Sequence, residues 1–393
     1  MEHNITILAG TIPSQPTPQR PFAPLVLEFL DIFSKALRQD IHLTNPVPWQ
    51  SLGFWLRSKH IRTLTQFLAR PDERLGRGLV FHIMPTNMPT MWCYSWLISL
   101  LAGNSNIVRI SPRLVPQVQP ICQLIDCFLQ GERFQPLREQ NCIVSYGQDA
   151  AVTDVYSTMC DVRLLWGGDA SIMAIRQSPL PPTSLELTFA DRYSLALFDT
   201  QMIAAMAEDE LREWAHRFYN DTYEADQNAC SSPHLIVWLG NHTSLEEVQH
   251  RWWQAVFAET QAYDLAPIKG STKYTQLWHV AMTMTELQTC KTYGNALYVY
   301  TLSTLPPDIT ALSGSFGQYF QLALPTIEPL LLKLTKKIQT ITTIGVDATV
   351  LRHQLQDYHI CGVDRIVPVG QALTMDVIWD GTNLLEFLSR YLH

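Results

Sequence analysis

The sequence predicts an α/β protein made of two units in series, each a mostly parallel sheet with helices on both faces. Two observations predict it. Short apolar runs alternate with longer segments of helical apolar spacing along most of the chain, the pattern of repeated strand-helix-strand connections. The chain is also 393 residues long and 47% apolar with 16% charged residues, enough for a large core and beyond the roughly 250–300 residues at which one core stops growing.

The elements follow in order. Prolines 13, 16, 18, 21 and 24 predict an irregular arm over residues 1–25, and Leu25 to Leu37 then has helical apolar spacing. After Gly78 the runs Leu79–Ile83, Ile107–Ile110, Cys142–Tyr146, Val162–Trp166 and Tyr193–Phe198 read as strands. Segments 90–102, 114–130, 149–158 and 170–177 between them read as helices. A first unit over 26–198 results. A second, over 199–375, has strands expected at 235–239, 296–301, 318–323, 341–345 and 365–369, and helices near 244–260, 327–338 and 347–357. Residues 376–393 are left unassigned by pattern, and no internal repeat is visible after residue 25.

Composition narrows the function. A formal charge of −8 without a run of Lys and Arg argues against nucleic acid as a partner. Eight scattered cysteines without a Cys-x-x-Cys pair suggest neither a disulfide framework nor a zinc site, which fits a reducing, cytoplasmic location. The most apolar stretch, Met91 to Ala102, is shorter than the ~18–20 residues of a membrane span, and no signal peptide pattern opens the chain. His234, His242 and His250 recur every eight residues, without the close spacing of metal ligands, so no metal is expected.

Four places could carry chemistry. Pro85-Thr-Asn-Met-Pro89 follows a strand and opens a helix. Its prolines restrict the backbone around Asn87, whose amide could donate to an oxyanion or simply satisfy its own turn. Trp166-Gly-Gly-Asp-Ala-Ser171 is a second strand-to-helix turn. There Gly167, Gly168 and Ser171 could admit a ligand to the backbone, or Asp169 could merely cap the helix. Arg109, near the end of its strand, could meet a ribose or phosphate, or be a solvated surface charge. Cys230, in the polar loop Asp226-Gln-Asn-Ala-Cys-Ser-Ser-Pro-His234, could be an activated nucleophile or one more inert thiol.

Four segments in this order, "GLVFHIMPTNMPTMWCYSWLISLLAGNSNIVRIS" (78–111), "WGGDASI" (166–172), "DQNACSSPH" (226–234) and "GVDRIVPVGQALTMDVIWDG" (362–381), resemble the acyl-CoA reductases of the bacterial luminescence type. These LuxC-like fatty acid reductase subunits are a divergent branch of the aldehyde dehydrogenase superfamily. The resemblance covers about residues 75–393. It implies an aldehyde dehydrogenase-like fold, with two Rossmann-like domains and the active site between them: a cofactor-binding domain over 26–198 and a catalytic one over 199–375. It implies that Cys230 accepts the acyl group, that Asn87 supplies an oxyanion-hole amide, and that Arg109 stands beside the adenosine ribose of NADPH. Gly167, Gly168 and Ser171 stand where the superfamily has its cofactor turn, although Asp169 departs from that pattern.

Hydrolytic members of the superfamily carry a water-activating glutamate in a Glu-Leu-Gly-Gly segment; here the region reads "SLELTFADRYS", and Glu186-Leu187 lacks the glycines. A thioester reductase needs no attacking water. The expected reaction is NADPH-dependent reduction of an acyl-CoA or acyl-protein thioester to an aldehyde through an acyl-Cys230 intermediate. Phe218, Tyr219 and Tyr223 could line an acyl channel or belong to the core. An acyl-activating protein partner and a homo-oligomer are compatible with the resemblance. The rival readings are an acyltransferase or thioesterase using the same cysteine, and a non-catalytic scaffold subunit.

Overall fold

The computed structural model describes residues 5–39, 43, 46–86, 88–241 and 243–392. The chain divides into two compact units, residues 1–191 with 375–393, and residues 192–374.

The strands of the first unit are β1 (Thr6–Gly10), β2 (Arg74–Gly76), β3 (Leu79–Ile83), β4 (Ser105–Ile110), β5 (Asn141–Ser145), β6 (Val162–Trp166) and β7 (Leu185–Phe189). Its main sheet has the order β1-β5-β4-β3-β6-β7, parallel except for β1, which runs antiparallel to β5. Successive strand residues serve opposite faces. Val80, Val108 and Leu164 enter one core, with the helix Met91–Leu101, while Phe81, Ile107 and Leu165 enter another, with Val152 and Ile172 from helices on the other side. Two covered faces are why these strands read as unbroken apolar runs.

The helix Met91–Leu101 is buried along its whole length, as its all-round apolar sequence requires. Aromatic contacts enclose it: Trp49 with Trp92 at 6.2 Å, Phe29 with Trp96 at 5.8 Å and Trp55 with Tyr94 at 5.7 Å between ring centroids.

The second unit has β8 (Tyr193–Asp199), β9 (Pro233–Leu239), β10 (Leu287–Tyr293), β11 (Leu297–Leu302), β12 (Gln318–Leu324), β13 (Ile338–Ile344) and β14 (Arg365–Pro368). They form one sheet in the order β10-β11-β12-β9-β8-β13-β14, with only β10 antiparallel to its neighbour. One face packs Phe198, Trp238 and Tyr319 against Phe218, Trp252 and Trp253 of the helices Glu208–Thr222 and Leu245–Glu259. The other packs Leu195, Leu235 and Ile341 against Val280, Leu351 and Leu355. After this unit the chain adds β15 (Ile378–Trp379), β16 (Thr382–Asn383) and β17 (Ser389–Tyr391) to the first, where β17 pairs with β2.

Three sequence expectations are corrected, and the segment left unassigned is placed. The 1–25 arm contains β1, since the prolines begin only after the strand ends. The first unit stops at residue 191 rather than 198, because Tyr193–Asp199 pairs with β9 and β13 as a central strand of the second sheet. Residues 376–393 belong to the first unit, where Val377, Leu384, Leu385 and Leu388 are buried in its core. The helix expected over 327–338 is only Glu328–Leu331. Leu330, Leu331, Leu334 and Ile338 have helical spacing, but the β-branched run from Ile338 to Ile344 takes its last member into β13.

Candidate active site

In the first unit the strand order reverses at β3, with β4 and β5 on one side and β6 and β7 on the other. The loops leaving β3 and β6 lead to helices on opposite faces of the sheet. The crevice that such divergence opens at the carboxyl ends of the strands is where open parallel sheets bind ligands. The loop after β3 carries Asn87, which lies outside the described residues.

The loop after β6 is Gly167-Gly168. Neither glycine has a positive φ. A Cβ on Gly168 would meet nothing within 4 Å, and one on Gly167 only Ser171 Cβ at 3.9 Å. Internal packing therefore does not demand glycine here, and the bare backbone is open to a ligand. Ser171 is exposed in the first turn of the helix Asp169–Ile175. Asp169 does not cap that helix; Gly168 holds the N-cap position, and Asp169 Oδ1 accepts instead from the Asp191 amide at 3.2 Å.

Arg109 belongs to the same carboxyl edge. Its Nη2 donates to the carbonyls of Tyr146 and Gly147, both at 3.1 Å, and its guanidinium lies 5.2 Å from the Tyr146 ring centroid. It is thus held by the turn after β5 and is no freely solvated charge. Its Nε is buried with no acceptor among the described residues, a donor that a polar ligand group would satisfy.

Glu186, on β7, is fully engaged. Arg163, almost entirely buried, donates Nε and Nη2 to Glu186 Oε2 at 2.8 and 2.5 Å, and Arg176 Nε donates to Oε1 at 2.7 Å. A carboxylate with both oxygens bound by guanidinium groups is a structural counter-ion rather than a base for water.

In the second unit, Cys230 sits half-buried in the loop between the helix Glu208–Thr222 and β9. Side chains fix this loop from several directions. Ser194 Oγ donates to the Cys230 carbonyl at 2.6 Å and accepts from the Thr340 amide at 3.1 Å. Ser232 Oγ donates to Asp221 O at 2.7 Å. The buried Gln227 amide donates to Pro233 O at 3.1 Å and Gln318 O at 3.0 Å, while its Oε1 accepts from the amides of Gly317 and Gln318, both at 3.2 Å. All of its hydrogen-bonding atoms are used, which makes it a rigid strut.

The other seven thiols divide by burial. Burial pushes Cys122, Cys142 and Cys160 up to about 12, Cys290 up to about 11, and Cys93 well above the usual thiol range. Thiols so raised stay protonated and unreactive. Cys127 and Cys361 are exposed on a helix and in a turn.

His234 is buried, with Nδ1 accepting from the Gly314 amide at 3.2 Å and its ring stacked 5.4 Å from that of Tyr193. His250 Nδ1 meets the Tyr293 hydroxyl at 3.4 Å, and His242 lies outside the described residues. Phe218 and Tyr223 are core residues against Tyr319, centroids 5.2 and 6.3 Å away, because their helix and turn face the sheet; Tyr219 stacks on Tyr223 at 5.0 Å.

Residues 62–391 match the family described as acyl-CoA reductase (LuxC). The chain belongs to the acyl-CoA reductase (LuxC) family. No curated protein matches its sequence significantly. Among solved structures, a Mycobacterium tuberculosis aldehyde dehydrogenase complexed with NAD+ is similar with a TM-score of 0.63 at 13% identity, over 95% of this chain and 85% of that one. An indole-3-acetaldehyde dehydrogenase complexed with NAD+ is similar at 0.59 and 11% identity, over 94% and 81%. A bifunctional proline utilization A protein is similar at 0.62 and 14% identity over 93% of this chain, which spans 40% of that protein's length. The fold is that of the aldehyde dehydrogenases.

Membership of that family makes the chain an oxidoreductase of acyl substrates, and no helix among the described residues is long and apolar enough to cross a membrane. Within the first unit the structure brings Arg109, Gly167 and Gly168 to one sheet edge, and within the second it builds a braced loop around Cys230. Sequence reasoning missed the partner of that loop, residues 313–318. The Cβ positions of Gly314 and Gly317 would fall 1.9 Å from Gln318 O and 2.3 Å from the Tyr223 hydroxyl, so only glycine permits this approach. The pair of glycines just before an apolar strand was the available signal.

Asp221 was missed as well. Its carboxylate accepts from the amides of Gly370 at 2.6 Å and Ala372 at 2.8 Å, fixing the turn of the fourth motif. Burial pushes it up to about 7, against the opposing pull of those two amides and of Arg365.

Proposed function

We propose that this protein converts an acyl thioester to an aldehyde through a covalent acyl group on Cys230. The Cys230 thiolate attacks the thioester carbonyl of an acyl-CoA or acyl-protein. The oxyanion of the tetrahedral intermediate is stabilised by the Asn87 amide, the role its Pro-x-Asn-x-Pro setting implies by resemblance. Its collapse breaks the carbon–sulfur bond to the donor, which leaves as a thiolate, and the acyl group stays on Cys230. Reduction and protonation of that thioester give a thiohemiacetal, whose carbon–sulfur bond breaks to release the aldehyde and return the thiol.

A nicotinamide cofactor suits the residues at the reversal of the first sheet, with open glycine backbone at 167–168, an exposed Ser171 and the unsatisfied Nε of Arg109. Both aldehyde dehydrogenases above that were crystallised with NAD+ have this fold. When bound, such a cofactor supplies the hydride. The preference proposed is for NADPH, compatible with the cationic Arg109.

The observation that carries the reading is the bracing of the Cys230 loop by Ser194, Ser232 and Gln227, a fixed setting for a half-buried thiol. The engagement of Glu186 by two arginines favours aldehyde over acid as product.

The test is mass spectrometry of the intact protein after incubation with a series of saturated acyl-CoAs, without and with NADPH. An adduct on Cys230 that disappears with aldehyde release is expected, and Cys230→Ala should show neither. Absence of an adduct with every donor would refute the nucleophile. An adduct that forms but turns over without consuming NADPH would favour the transferase or thioesterase reading, and full reductase activity in Cys230→Ala would remove this cysteine from the mechanism.

A further inference from the structure

Immediately before the Gln227 strut, Asp226 and Gln227 are consecutive non-glycine residues with left-handed backbones, at φ 53 and 60. A Cβ disfavours that region, and two such residues in succession persist only where the surroundings enforce them. Gln227 is enforced by its amide bonds. Asp226 has a separate set of partners.

Asp226 Oδ1 accepts from Lys269 Nζ at 2.7 Å and from the Tyr263 hydroxyl at 2.5 Å, and Asp226 O accepts from the Phe316 amide at 3.2 Å. Lys269 Nζ is held in turn by Asp264 O at 3.2 Å and lies over the rings of Tyr263 and Phe316, 4.8 and 5.7 Å from their centroids. The Lys269 and Asp226 side chains are 22% and 33% exposed, so this is neither a solvated surface pair nor a sealed one. It joins the bend to the helix Pro267–Thr283 and to the 313–318 segment.

We propose that Asp226, Lys269 and Tyr263 are positioning residues for Cys230: they lock the left-handed bend in the conformation that presents the thiol to the acyl thioester. The inference rests on the reading of Cys230 as the nucleophile. None of the three need touch the substrate. Loosening them leaves the thiol chemically intact but spreads it over several orientations, and such loss of alignment lowers the acylation rate without lowering acyl-CoA affinity.

The experiment measures the single-turnover rate of acyl transfer to Cys230 by quenched-flow mass spectrometry, with the acyl-CoA that gives the largest adduct on the wild-type protein. Lys269→Met and Asp226→Asn are expected to acylate at least about tenfold more slowly per folded molecule, with KM for acyl-CoA changed less than about twofold, because misalignment acts on the chemical step. Lys269→Arg, which keeps the charge and a donor, should recover most of the rate.

A purely structural role would lower the melting temperature and the active fraction but leave this rate constant unchanged. If the charge variants do not fold, Tyr263→Phe, which removes one hydroxyl, is measured instead, and a slowing of about two- to tenfold, the worth of one hydrogen bond, is expected. Wild-type acylation rates in the folded variants overturn the clamp while leaving Cys230 as nucleophile. Absence of any adduct on wild-type Cys230 overturns both.

Discussion

A side chain at Gly168 would have room, and that makes the position informative. With φ −68 and open space around its missing Cβ, Gly168→Ala should change unfolding free energy by no more than about 0.5 kcal/mol. Gly168→Val should fold equally well and yet weaken NADPH about tenfold or more, read by fluorescence titration, because it blocks the close approach of a ligand to the backbone. Equal affinity in both variants would remove this turn from the cofactor site. Asp221 makes a different prediction. Its folded-state carboxyl is pushed up to about 7 from an ordinary 3.8, so between those values the folded protein holds a proton that the unfolded chain has released. Stability should therefore fall as pH rises from about 4 to about 7, by at most about 1.4 kcal/mol per pH unit from this group. Asp221→Asn should remove that slope in urea unfolding measured across the range. Cys230 was visible in the sequence as a candidate by its polar loop; Asp221, one of five carboxylates on the helix Glu208–Thr222, had nothing local to mark it.

Among the elements, β7 illustrates how a motif echo can mislead. Glu186 resembles part of a water-activating segment, but pairing of β6 with β7 sets Arg163 opposite Glu186 and their side chains form a nearly dry ion pair, 3% and 16% exposed. Glu186→Gln leaves the Arg163 guanidinium without its counter-ion, and removal of one partner from a buried pair costs about 3–5 kcal/mol. The expected result is a marked loss in urea midpoint with the rate of aldehyde formation per folded molecule unchanged. A normal midpoint with lost activity would restore a catalytic role. The segment 327–338 shows the opposite ambiguity: its apolar residues satisfy a helical period, and only the pairing of Ile338 with Tyr193 across the sheet decides that it ends as a strand. Periodicity reports the face a residue buries, but neighbouring strands determine which backbone conformation buries it.

At the scale of the whole molecule, the two units differ in how the chain builds them. Residues 192–374 are continuous and contain their own sheet and two cores, so this segment produced alone should unfold cooperatively in a thermal scan. The other unit needs its last residues. Val377, Leu384, Leu385 and Leu388 are at most 1% exposed, worth about 1.5–3 kcal/mol each and together a large share of the stability of one domain. Their segment also accepts from Arg74 at Ser389 Oγ, 2.9 Å, and from Asn104 at Leu388 O, 2.9 Å. A chain ending at residue 374 should lose the thermal transition of the first unit and keep that of the second. Persistence of both transitions would show that the returning segment is dispensable.

The sequence by itself determined the α/β class, nearly every parallel strand and the order of the four motifs, and it offered Cys230 as a candidate. Those are properties of short stretches: apolar runs, punctuation by Gly and Pro, and residue types in succession. Only the tertiary structure decided that Tyr193–Asp199 belongs to the second sheet, that Glu186 is bound by Arg163 and Arg176, that Gln227 supports its loop from Gln318, and that the chain's last residues complete the first core. Each of these depends on partners brought together from distant parts of a sheet or chain, and a fully buried strand looks the same in sequence whichever neighbours it has.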